Sequence, residues 1–191
     1  MQNYTVMGEG KWRSRIGAIT FASLSILIIA IAQLLHGNNA TGFVPQYFMI
    51  YGERSNGKTY SAIDYALERY AKHGEQFAYL RRWGEDIRKK QLSQLFAAHS
   101  ENGSIAKKTS GNWFSVDYTG NKFRLTKNDE DGRLVMDENV CGYAFDLNSM
   151  EHYKSISFPR ITTVIFDEFL SRNGYLPNEF ILFTNVLSTI V

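Results

Sequence analysis

Gly52-Glu53-Arg54-Ser55-Asn56-Gly57-Lys58-Thr59 is the stretch on which the reading of this chain turns. It fits G-x-x-x-x-G-K-[ST], the spacing of a backbone loop that wraps phosphate. The glycines let the main chain pass close to phosphate oxygens. Successive N–H groups and a following helix N-terminus then face the anion. Lys58 would place a positive charge at the β- and γ-phosphates, and Thr59 would offer a hydroxyl to Mg²⁺. The flanks suit that reading. Residues 44–51 (VPQYFMIY) form a short apolar run with β-branched and aromatic members, which predicts a strand. Residues 58–73 place Tyr60, Ile63, Leu67 and Tyr70 on one helical face, and Gly74 supplies a stop. The expected nucleotide-binding set is therefore Gly52, Glu53, Arg54, Ser55, Asn56, Gly57, Lys58 and Thr59, with Tyr60 after them, and the expected cofactors are ATP and Mg²⁺. Glu53, an acid beside the anion, is expected to face away.

A second segment completes the pattern. Residues 161–166 (ITTVIF) are almost continuously apolar, as in a strand buried on both faces, and Asp167-Glu168 follow directly. Asp167 would hold Mg²⁺ mainly through water, together with Thr59. Glu168 would orient and deprotonate the attacking water. Taken alone, two acids at a strand end read as solvated charges; the loop upstream changes that balance. An acid pair of this kind points to hydrolysis with mechanical output rather than to a small-molecule kinase. Arg54 has two readings side by side. It either reaches the γ-phosphate as a catalytic charge or shapes the loop from the surface.

The remaining chain bounds the class. It has 191 residues, 44% hydrophobic and 14% aromatic, enough for one ordinary domain with a short appendage. A single cysteine, Cys141, excludes an internal disulfide and a zinc site built on several thiolates. His36, His73, His99 and His152 lack ligand spacing. A net charge of +2 excludes a uniformly basic coat, so any grip on nucleic acid is local. Residues 76–80 and 141–147 read as strands and residues 86–98 as a helix. Residues 113–118 and 122–126 flank Thr119-Gly120-Asn121, a hairpin-like turn. Residues 127–139 read as an acidic loop, residues 148–155 as a helical turn, and Pro177 as the first residue of a last helix. Strand–helix–strand alternation implies an α/β fold with a mainly parallel central sheet and a β-hairpin insertion.

The first forty residues stand apart. Residues 16–35 (IGAITFASLSILIIAIAQLL) carry no charge and match the roughly 20 apolar residues a membrane-spanning helix needs. Lys11, Arg13 and Arg15 precede them, and no Lys or Arg follows until Arg54, a bias that would leave the rest of the chain outside the cytoplasm. The run is too long for a usual signal peptide. The expected organisation is an apolar N-terminal helix and linker over 1–42, then a P-loop ATPase domain over 43–191. Residues 180–191 (FILFTNVLSTIV) end inside an apolar run, so the domain is expected to be incomplete.

These residues together resemble the DNA-encapsidation ATPases of small tailed phages, podoviruses of the Picovirinae/Salasmaviridae type. The similarity spans most of residues 43–191. It rests on the loop with its helix, on GEQFAYLRRW at 74–83, on CGYAFDL at 141–147, on VIFDEF at 164–169 and on PNEF at 177–180. The resemblance implies an additional-strand (ASCE) P-loop NTPase fold. It also implies a ring, usually a pentamer, on the portal vertex of a procapsid in the host-cell cytoplasm, where ATP hydrolysis drives double-stranded DNA inward. Lys58, Thr59, Asp167 and Glu168 keep the roles given above. Arg81 and Arg82 match paired arginines whose role is open between a structural salt bridge and contact with nucleotide or DNA. The family continues into a further strand, an arginine finger and a second domain. Such a finger is typically worth about 10³–10⁵ in rate, so this chain alone is expected to bind nucleotide and cleave it slowly.

Candidate DNA contacts are Arg88-Lys89-Lys90, Lys107-Lys108, and Lys122 with Arg124; each is equally a solvated face. Two other functions remain in view. One is a membrane-anchored P-loop ATPase of phage assembly or export, held by residues 16–35. The other is a decayed prophage fragment that binds nucleotide and drives nothing.

Overall fold

The computed structural model describes residues 24–31, 47–53, 57–149, 156–171 and 174–190. Among these, eight strands form one sheet in the order β2-β1-β8-β3-β7-β5-β4, with β6 paired to β5. The strands are β1 (Leu24–Ile31), β2 (Tyr47–Glu53), β3 (Gln76–Arg81), β4 (Ser115–Thr119), β5 (Lys122–Asn128), β6 (Leu134–Met136), β7 (Gly142–Asp146) and β8 (Ile161–Phe166). The helices are α1 (Lys58–His73), α2 (Lys89–Leu92), α3 (Ala97–Glu101), α4 (Ser104–Lys108) and α5 (Glu179–Ile190).

The central strands are buried on both faces because alternate side chains enter two separate cores. Phe77, Tyr79 and Ile165 pack with Ile63 and Leu67 of α1, Phe96, Ile105 of α4, and the hairpin residues Tyr118 and Phe123. Ala78, Leu80, Val164 and Phe166 pack on the other face with Phe183, Val186 and Ile190 of α5. Period-two alternation in β3 and β8 thus builds a three-layer α/β/α arrangement. It places the carboxyl ends of β3 and β8 side by side, where ligands of such sheets gather.

The expected mainly parallel sheet needs correction. Only β3–β7 and β3–β8 pair in parallel. The pairs β1–β2, β1–β8, β4–β5, β5–β6 and β5–β7 are antiparallel. The sheet is mixed for two reasons: the hairpin strand β5 joins its edge, and β1 runs against both of its neighbours. β2 still points the same way as β8, β3 and β7, because it lies two antiparallel steps from β8.

The apolar N-terminal helix is also corrected. Leu24–Ile31 is a strand, in register with β2 from Leu24↔Glu53 to Ala30↔Tyr47 and with β8 from Ile28↔Phe166 to Ile31↔Thr163. Its sequence, LSILIIAI, is rich in β-branched isoleucine, which suits a pleated sheet. The rest of 16–35 lies outside the described residues, among which no helix is long and apolar enough to cross a membrane. The sheet therefore takes in residues on both sides of the boundary expected at 43.

Three smaller expectations also change. Residues 127–139, read as a loop, hold the end of β5 and all of β6. Residues 86–98 do not form one helix: a 3₁₀ turn (Gly84–Ile87), α2 and the start of α3 share the stretch. Pro177 does not open α5. Asn178, at φ 56°, precedes the helix and accepts the Leu182 N–H at 3.0 Å. Helix α1, in contrast, runs from Lys58 to His73 as expected, with the Gly74 N–H donating to the Tyr70 carbonyl at 2.8 Å. The hairpin turn has positive φ at both Gly120 (59°) and Asn121 (61°). That is the twist-matched geometry of a two-residue hairpin.

Candidate functional site

The site lies where α1 begins and β8 ends. Gly57 precedes α1, so Lys58 and Thr59 occupy its first turn. Lys58 is buried to 9% exposure, and its Nζ donates to the Gly52 carbonyl at 3.0 Å. The lysine thereby ties the two ends of the glycine–lysine loop together. The Thr59 hydroxyl donates to Asp167 Oδ2 at 2.9 Å, across 108 positions of sequence. Two groups expected to share one cation therefore meet. Tyr60, next along, turns its ring against His99 with centroids 4.0 Å apart. Arg54, Ser55 and Asn56 lie outside the described residues, and Gly52 and Glu53 close β2.

Asp167 is the hub. Besides Thr59, its Oδ2 accepts the Tyr79 hydroxyl at 2.8 Å, and Arg81 Nη1 stands 3.8 Å away. Its Oδ1 accepts the Glu168 N–H at 2.9 Å. Burial, first, and then the neighbouring carboxylate push the Tyr79 phenol well above its ordinary value, so it stays a donor. Burial opposes the charge on Arg81, but Tyr79, Glu168 and Asp167 around it hold that charge more firmly than water would.

Glu168 sits at φ 56°, a conformation that typically costs an L-residue on the order of 1 kcal/mol. Arg81 Nη2 holds its carboxylate at 2.8 Å and also lies 3.4 Å from Asp86. Arg82 Nη1 donates to the Glu168 carbonyl at 3.2 Å, and its Nη2 donates to the Phe169 carbonyl at 2.6 Å. The same Arg82 makes a buried bidentate pair with Glu179 at the start of α5, Nη2 to Oε1 being 2.7 Å. The Glu179 carboxylate also accepts the Leu176 N–H at 3.0 Å. The two arginines thus part: Arg81 turns to the acid pair, and Arg82 fastens the loop after it to α5.

Tyr79 was not singled out in the sequence reading. The signal was present: Tyr79 and Arg81 lie two apart on one strand and so share the face that looks toward α1. The basic clusters are partly engaged. Lys108 pairs with Asp64 at 3.0 Å, Arg88 with Glu85 at 3.4 Å, and Lys89 lies 3.9 Å from Asp117 on β4. Lys90, Lys107 and Lys122 are exposed.

A glycine–lysine loop and an acid pair meeting at one end of an α/β sheet define a candidate nucleotide site in a mixed α/β domain. The domain is similar to the N-terminal domain of the DNA packaging ATPase from bacteriophage phi29, with a TM-score of 0.55 and 26% identity, over 73% of this chain and 62% of that one. The chain belongs to the family described as Podovirus DNA encapsidation protein (Gp16), whose model matches residues 44–191. It is 32% identical over 144 residues to the DNA packaging protein of Bacillus phage B103, covering 74% of this chain and 38% of that protein. It is 29% identical over 144 residues to the DNA packaging protein of Bacillus phage phi29, covering 74% and 37%. The chain therefore spans under two fifths of the length of these relatives. Strand β1 lies outside the residues matched to the family.

Proposed function

We propose that this chain is the nucleotide-binding part of a phage motor that uses ATP hydrolysis to drive double-stranded DNA into a preformed capsid. The 2.9 Å contact between Thr59 and Asp167 carries this reading, because it joins two motifs 108 positions apart at one point. Both donors are hard oxygens, the kind Mg²⁺ takes alongside water and phosphate. Thr59 and Asp167 would hold that ion, which would neutralise charge on the phosphates when bound. Lys58 would exchange its contact with the Gly52 carbonyl for phosphate oxygens. Glu168 would take the proton of the attacking water, and Arg81 would keep its carboxylate in place until then. Arg54 remains a candidate for the γ-phosphate.

Family membership supports DNA, a portal or procapsid, and further copies of the chain in a ring as partners, in the host cytoplasm. For DNA, the exposed Lys90 of α2, Lys107 of α4 and Lys122 of the hairpin are the foremost candidates. A translocating motor needs phosphate contacts without base readout, so losing any of them should weaken binding alike for all sequences and flatten the salt dependence.

The deciding experiment measures Mg-ATP binding and hydrolysis by the 191-residue chain and two variants. Lys58→Ala should abolish binding. Glu168→Gln should bind ATP and fail to cleave it. Wild-type behaviour from both variants would end this assignment.

A further inference from the structure

Helix α1 is held at its first turn from outside, and the holding group is His99 on α3. Its side chain is 0% exposed. The ring lies on that of Tyr60 at an interplanar angle of 9°, and Nε2 is 3.1 Å from the Tyr60 carbonyl oxygen. A carbonyl only accepts, so Nε2 carries the proton. Nδ1 is buried and meets no hydrogen-bond partner among the described residues. The Tyr60 hydroxyl in turn accepts from Asn102 Nδ2 at 2.7 Å. The residue directly after Thr59 is thus gripped at ring, carbonyl and hydroxyl by one short segment. That segment is anchored to the hairpin layer, where the hydroxyls of Ser100 and Ser115 of β4 lie 3.2 Å apart.

Two charged groups face the imidazole from the elements packed around it. Asp64 of α1 lies 4.0 Å from Nε2, and it accepts from Ser104 at 2.7 Å and from Lys108 of α4 at 3.0 Å. Asp64 is therefore already committed to α4. Burial, the leading cause, lowers the imidazole's proton affinity below its ordinary value, against smaller opposing effects of the Tyr60 carbonyl and Asp64.

We propose that His99 is a positioning residue for the nucleotide site, its Nε2–H fixing the first turn of α1 so that Lys58 and Thr59 stay aligned with Asp167. This rests on the nucleotide reading of residues 52–59. A core histidine present only to fill space would be served equally well by any ring of its size. A positioning histidine is served by the donor. Phenylalanine keeps the ring and loses the donor, whereas glutamine keeps a donor at the reach of Nε2 and loses the ring.

The test uses the 191-residue chain and a fluescent-labelled ATP analogue with Mg²⁺. His99→Phe should weaken binding roughly tenfold, the loss of one buried hydrogen bond. His99→Gln should stay within about threefold of wild type. Nitrogen-15 NMR of the wild-type imidazole should give the Nε2–H tautomer, uncharged at neutral pH. Phe binding like wild type, Gln faring no better than Phe, or an Nδ1–H or charged ring would each overturn the proposal. Wild-type chain that binds no analogue, with the expected tautomer intact, would overturn the nucleotide reading and this proposal with it. The first three outcomes leave that reading standing.

Discussion

Arg81 and Arg82 are neighbours in sequence and strangers in structure. Successive residues at a strand end point to opposite faces, so one meets the acid pair and the other the α5 layer. Which face each takes is set by carboxylates that arrive about 90 residues later, and that is why a resemblance left their role open. Arg82 is 4% exposed and Glu179 8%. Arg82→Ala would strand a buried carboxylate, and a loss of about 3–5 kcal/mol is expected in urea or thermal unfolding. Arg82→Leu with Glu179→Leu should recover most of that loss. A double variant as unstable as the single one would mean that the carbonyl contacts to Glu168 and Phe169, not the ion pair, hold this corner. At the same scale the meeting of Thr59 with Asp167 was legible, because each of the two motifs stands in a few contiguous letters. His99 and Tyr79 were not, because their partners are distant and their own types are common in cores.

At the scale of elements, legibility followed how local the determinants are. Helix α1 carries its own stop in Gly74, and the hairpin carries its own turn, so both appear in the sequence with nearly their true bounds. The segment 86–98 has helical spacing, yet Ile87, Leu92 and Phe96 are each drawn into the core from separate short turns. The apolar run at 24–31 fits helix and strand equally by pattern, and only the edges of β2 and β8 decide. Gly142 marks another such tertiary demand. A Cβ placed there would stand 2.5 Å from Cε1 of Phe77, whose ring crosses the parallel β3–β7 pair and stacks on Phe123 at 5.5 Å. Gly142→Ala should therefore cost about 1–3 kcal/mol through overpacking. Adding Phe77→Leu should return part of it, as equilibrium unfolding of the two variants would measure. An unaffected single variant would refute the close-approach argument.

For the whole molecule, β1 decides how the two halves of the site are joined. Among the described residues β2 meets the sheet only through β1, and β1 meets β8. A proline at position 28 removes a backbone donor from the middle of that ladder. Ile28→Pro should speed amide hydrogen exchange throughout Tyr47–Glu53, while β3, β7 and the hairpin keep their protection. Unchanged exchange in Tyr47–Glu53 would show that β2 does not depend on this neighbour.

The stretch most easily recognised, 44–191, leaves this strand out. Trimming the protein to that stretch would keep every letter of both motifs while cutting the main-chain bridge from β2 to β8. What would be lost is the tie between β2 and β8, leaving the far end of the loop hinged on the lysine, while α1 and the acid stay joined through β3 and the threonine hydroxyl.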